Sequence, residues 1–144
     1  MSGELLTHTF LGKRYIICYG QCDSPDTINK TITVPTTGET LLDLHTIIHE
    51  SLHACDWGAE EDKVEEVSEK VAKEVWDEGY RKSNRTKNKK IANYKNLAEI
   101  IYKSLLNLKW SEESEIVCVI AYDIARFLNR IGWRASYVIK KNNR

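Results

Sequence analysis

Five consecutive residues, His49-Glu50-Ser51-Leu52-His53, place two imidazoles four positions apart with a carboxylate directly after the first. An α-helix has 3.6 residues per turn, so positions i and i+4 share one face and both rings can reach a single cation. Neutral imidazole suits Zn²⁺, which acidifies a bound water towards neutrality. Glu50 follows His49 by one position, where it can take a proton from that water and later return it to a leaving amine. Residues of these types at this spacing fit metal-assisted hydrolysis of a peptide or protein. A catalytic zinc takes three protein ligands and keeps one open position. The third ligand is expected in the acid-rich stretch downstream: Glu61, eight residues after His53, is the first choice and Glu60 the runner-up. His45 precedes His49 by four on the same face, but steps of four drift round a helix, so it reads as a supporting or surface histidine.

The motif needs a helix, and the surrounding sequence supplies one. The segment TTGET offers a hydroxyl N-cap before LLDLHTIIHESLHACDW, which predicts a helix over about 40–55 with Leu44, Ile47, Ile48 and Leu52 on its apolar side. After an Asp56-Trp57-Gly58 turn, Val64, Val67, Val71 and Val75 form an apolar stripe on an acidic second helix that Gly79 stops. Before the motif, LTHTFLGK, RYIICYG and KTITVP read as three short strands. Residues 81–90 hold six basic residues and no acid, as in a solvated linker. Two more helices follow from about Ile91, and Ser136 to Ile139 can form a last strand.

The chain also repeats itself. Shifted by 53 residues, 44–81 lies on 97–134 with eleven identities in 38 positions and no gap, among them Leu44/Leu97, Ser51/Ser104, Trp57/Trp110, Gly79/Gly132 and Arg81/Arg134. At the positions of His49, Glu50, His53 and Glu61 the second copy carries Tyr102, Lys103, Leu106 and Ser114. The apolar positions persist while the chemical ones do not, so the second copy reads as a metal-free half that supports the fold. Trp57 and Trp110 are expected in the core.

The expected fold is α+β: a small N-terminal sheet on a mainly helical domain built from two repeated helix pairs. The organisation is one domain over 1–144, with a β-rich part over 1–35, a motif-bearing helix pair over 40–81, a basic linker over 82–96 and a degenerate pair over 97–134. The length, 144 residues, suits one domain, and 21 basic against 21 acidic residues give zero formal charge, which excludes a dedicated polycation. Nucleic acid is not an expected partner. No apolar run approaches the roughly 20 residues of a membrane-spanning helix, and the N-terminus has no secretory pattern, so a cytoplasmic setting is expected. Cys18, Cys22, Cys55 and Cys118 are too few and scattered for a disulfide scaffold and read as reduced thiols. The sequence carries no signal for oligomeric state.

HESLH followed by a second helix beginning EEDKV resembles the minimal gluzincin class of zincin-like metallopeptidases, which includes small phage or bacterial members and the SprT-like and ImmA/IrrE-type domains. The resemblance spans about 15–81. It implies a zincin-like fold, Zn²⁺ on His49, His53 and Glu61, and Glu50 as general base. It also implies that the strand Thr31 to Val34 is an edge along which an extended peptide lies. Such families use a Tyr, His or Arg from outside the motif at the transition state; Tyr19, Tyr80 and Arg81 are the candidates. Two other functions follow from the same resemblance: a weakly active or inactive protein-binding module of a phage or host-defence system, and a DNA-associated SprT-like protease that uses the basic linker.

Overall fold

The computed structural model of the chain describes residues 6–19, 31–35, 40–56, 58–82 and 94–135. Strands β1 (Leu6–Phe10) and β2 (Lys13–Tyr19) form an antiparallel hairpin, with Phe10 opposite Lys13. Leu11 and Gly12 connect them, both at positive φ, 49° and 79°. Such a two-residue turn matches the right-handed twist of its strands, and glycine takes the second position without strain. β3 (Thr31–Val34) pairs in parallel with β2, so β2 is central and β3 lies on an edge among the described strands. His8, Phe10, Tyr15, Ile17, Ile32 and Val34 are buried on one face, while Thr9, Arg14 and Thr33 are exposed. The alternation is that of a half-buried sheet.

The remaining elements are α1 (Leu41–Cys55), α2 (Glu61–Asp77), β4 (Tyr80–Lys82), α3 (Lys95–Asn107), α4 (Ser114–Arg130) and β5 (Trp133–Ala135). Thr40 caps α1 reciprocally: its Oγ1 accepts from the Asp43 N–H at 3.1 Å, and Asp43 Oδ2 accepts from the Thr40 N–H at 3.1 Å. Adding 53 to the bounds of α2 and β4 gives those of α4 and β5. Gly79 and Gly132 both follow their helices at positive φ, 98° and 112°. Arg81 Nη1 donates to the carbonyls of Trp76 and Tyr80, and Arg134 Nη1 to those of the equivalent Asn129 and Trp133. β4 and β5 pair antiparallel with Arg81 opposite Arg134, which puts a local twofold axis at that pair. The two helix pairs pack into one core around Leu52, Val64, Val71, Leu105, Val117 and Ile124.

The protein is thus α+β, with a three-stranded sheet, a two-stranded ribbon and four helices among the described residues. Two expectations need adjustment. Strand β4 includes Lys82 and α3 begins at Lys95, so the linker is shorter than 82–96; its basic centre, like Trp57 and the strand expected at Ser136 to Ile139, lies outside the described residues. Trp110 is buried. Cys18 is held in a disulfide, which corrects the reading of four reduced thiols; its partner lies outside the described residues, and Cys55 and Cys118 are free. No described helix is long and apolar enough to cross a membrane.

Candidate metal centre

Helix α1 is held at both of its faces by the sequence pattern. Leu44, Ile47, Ile48 and Leu52 are fully buried, which leaves His45, His49 and His53 on the neighbouring face, partly covered by α2. Near the C-terminal end of α1 the Tyr15 phenol donates to the Ala54 carbonyl at 2.9 Å, fixing the last turn against the sheet. The chain then reverses: Asp56 Oδ1 accepts from the Gly58 N–H at 3.2 Å and the Asp56 carbonyl from the Ala59 N–H at 3.1 Å. Helix α2 therefore starts beside His53 and runs antiparallel to α1, with Glu61 in its first turn, where the helix dipole favours an acid.

Antiparallel packing of two helices with residues at four-residue spacing pairs them in reverse order. Glu61 Oε1 lies 2.7 Å from His53 Nε2, and its Oε2 lies 3.1 Å from His49 Nε2. One turn on, Glu65 Oε1 lies 3.0 Å from His49 Nδ1 and Oε2 lies 3.5 Å from His45 Nε2. The His49 and His53 ring centroids are 4.8 Å apart. The imidazoles are 14% and 18% exposed, whereas the Glu61 side chain is 66% exposed, so the carboxylate closes the group from the solvent side.

His49, His53 and Glu61 offer ligand atoms that all lie within 4.8 Å of one another. In a tetrahedral zinc site with bonds of about 2.0–2.1 Å, ligand atoms stand about 3.3 Å apart. The observed separations therefore need only small adjustments, and a two-imidazole, one-carboxylate donor set suits Zn²⁺ with one position left open. Glu65 Oε1 accepts from the outer nitrogen of His49 when Nε2 faces the ion, the arrangement that fixes ring orientation in histidine metal sites.

Among the expected site residues, Glu61 and not Glu60 is brought to the histidines; Glu60 is the N-cap residue, exposed, and its carbonyl accepts from the Val64 N–H. Glu50 is half-buried on α1 next to His49 and belongs to neither ligand group. Tyr80 and Arg81 are not part of the centre. They follow the far end of α2, whose length from Glu61 to Asp77 is about 24 Å at 1.5 Å per residue. Tyr80 is buried, and burial together with Glu78 raises its pKa. The Arg81 guanidinium lies 3.5 Å over the Trp76 ring, where burial lowers its pKa. Tyr19 ends β2 opposite Val34, and its side chain lies outside the described residues.

Glu65 is the residue that sequence reasoning missed. Its signal was its position four after Glu61, the same interval that separates the histidines on the facing helix. A cleft of about 580 Å³ between the second half of α2 and α3, lined by Lys70, Lys73, Asp77, Glu99 and Lys103, holds none of these histidines. Its size is therefore no guide to the chemistry. No family model matches the chain, and neither a curated protein nor a solved structure does.

Proposed function

We propose that the protein is a zinc-dependent metallopeptidase of zincin-like, gluzincin type, with His49, His53 and Glu61 as ligands and Glu50 as general base. The observation that carries this reading is the convergence of two imidazoles from α1 and one carboxylate from α2 within 4.8 Å, on the face where an H-E-x-x-H motif requires them. Zn²⁺, when bound, supplies a Lewis acid and acidifies its water. Glu50 sits one residue round the helix from His49, where its carboxylate can hold and pass on a proton. Glu65 steadies the His49 ring through Nδ1, 3.0 Å away. β3 is an edge strand among the described residues, along which a peptide could lie as an added strand.

The test uses protein purified without added metal. It should carry about one tightly held zinc per chain through the imidazole pair, and the His49→Ala/His53→Ala protein should lose it. Glu50→Gln should keep zinc and lose cleavage of an unfolded protein substrate. Absence of zinc binding even after metal addition rules the reading out, and equal cleavage by Glu50→Gln removes Glu50 as base.

A second reading has its own support. Tyr80 and Arg81 are engaged at the far end of α2, so two of the three candidate transition-state groups do not reach the centre. A zincin-like module that binds metal and a protein partner without cleaving it fits that arrangement. Such a module would hold its partner equally well with Gln at position 50.

A further inference from the structure

The histidine face of α1 carries two overlapping sets of ligand atoms, and the metallopeptidase reading uses only one. The second consists of His45, His49 and Glu65, whose ligand atoms again all lie within 4.8 Å of one another. It does not depend on His53 or Glu61. His49 is shared: its Nε2 faces Glu61 and its Nδ1 faces Glu65.

Three observations point to a cation there. His45 Nε2 is buried, makes no hydrogen bond, and is aimed at Glu65 Oε2 from 3.5 Å, too far for a good N–H···O contact. A buried ring nitrogen without a partner is unfavourable, and a bound cation would satisfy it. The Glu65 side chain is 56% exposed, so an ion can enter from solvent without opening the core. In the second copy of the repeat the equivalents of His45, His49 and Glu65 are Ala98, Tyr102 and Cys118, while Leu44, Ile48, Leu52 and Val64 keep identical apolar partners. Packing of the helix pair therefore needs none of the three ligands.

We propose that His45 Nε2, Glu65 and His49 Nδ1 form a second site for a divalent transition-metal ion of the zinc type. Binding removes the proton from His49 Nδ1 to solvent, and the ion takes its place between that nitrogen and Glu65. With the first site filled, His49 then has no ring proton left, so the second equivalent binds more weakly than the first. Filling it also takes Glu65 away from its hydrogen bond to His49. On the metallopeptidase reading, excess zinc should therefore lower cleavage, but the site itself stands on geometry alone.

Equilibrium dialysis against Zn²⁺, with Co²⁺ visible absorption as a second probe, decides the matter. The whole chain should take two equivalents, one tight and one weaker. His45→Ala should keep only the tight one. His53→Ala/Glu61→Gln, which removes both private ligands of the first site, should still take one. His49→Ala should lose both. Circular dichroism checks folding, and His45→Gln replaces His45→Ala if the smaller side chain unfolds the protein. One equivalent in the wild type with none in His53→Ala/Glu61→Gln overturns the second site and leaves the peptidase centre standing. One equivalent that survives His53→Ala/Glu61→Gln but vanishes in His45→Ala keeps the second site and overturns the first. No binding by the wild type overturns both.

Discussion

Glu65 Oε1 lies 3.0 Å from His49 Nδ1, one helical turn beyond the carboxylate that faces Nε2 of the same ring. A single imidazole is thus gripped from both sides by acids four residues apart on α2. Carboxylates placed this way fix the tautomer and orientation of a ligating histidine, and their loss typically weakens metal binding about 10–100-fold. Glu65→Ala should therefore raise the dissociation constant of the tight zinc by about that factor while leaving one equivalent bound. Competition with a chromogenic chelator measures it. An unchanged constant would show that Glu65 does not orient the ring.

The extent to which this arrangement was legible in the sequence differs from element to element. Helix α1 was readable because Thr40 and Asp43 form a reciprocal cap and its apolar residues follow a helical period. Helix α4 lies where the 53-residue repeat carries α2, but strands β4 and β5 were not read: Arg81 and Lys82 open a basic stretch that looks like linker, and the last strand was expected at Ser136 to Ile139 rather than at Trp133–Ala135. Glu65 had only its position four after Glu61 to mark it. It stands among Glu66, Glu69 and Glu74, which are exposed on the same helix, and only the antiparallel packing of α2 on α1 separates it from them. The parallel pairing of β3 with β2 was hidden too, since strand composition does not encode strand direction. His8 could have been found: in the alternating Thr7-His8-Thr9-Phe10 it shares the buried face of Phe10.

Phe127 joins the second helix pair to the sheet. Its ring lies 5.4 Å from Phe10 in an edge-to-face contact and 5.1 Å from the His8 ring, and it is fully buried. Truncation leaves a cavity that a sheet on one side and a helix on the other cannot both close. Phe127→Ala should cost about 3–5 kcal/mol, read as a lowered urea midpoint with an unchanged slope. Val119→Ala, on the exposed side of the same helix, should change stability by less than about 0.5 kcal/mol. Similar losses for the two would mean that α4 does not pack on the sheet through Phe127.

His8 makes the protein sensitive to acid. Its Nε2 donates to the Asp123 carbonyl at 3.0 Å, so its Nδ1 is the lone-pair side and accepts from Arg130 Nη1 at 3.0 Å. Burial, followed by the nearby Arg126 and Arg130 charges, outweighs the Asp123 hydrogen bond and lowers its pKa from 6.5 to about 4. The unfolded chain thus binds the proton first as pH falls. The contribution of neutral His8 is fully present above pH 6.5 and is lost progressively between 6.5 and about 4. The melting temperature should fall across that interval, and His8→Gln, which cannot titrate, should flatten the fall. An equally steep decline in His8→Gln would assign the sensitivity to other groups.

The twofold relation between β4 and β5 makes a quantitative demand on two glycines. Gly79 and Gly132 turn the chain from helix to strand at φ of 98° and 112°, a region that disfavours any Cβ. Each is followed two residues later by an arginine that donates back across the glycine to a carbonyl in the last turn of the helix, Arg81 to Trp76 and Arg134 to Asn129, which ties strand to helix at the turn. Gly79→Ala and Gly132→Ala should each lower stability by about 1–2 kcal/mol, and by similar amounts, because the two turns are built alike. Denaturant unfolding of the two single variants provides the comparison. A large cost at one position with none at the other would show that the repeated sequence does not impose a repeated backbone, and that only one of the two turns holds its helix pair in place.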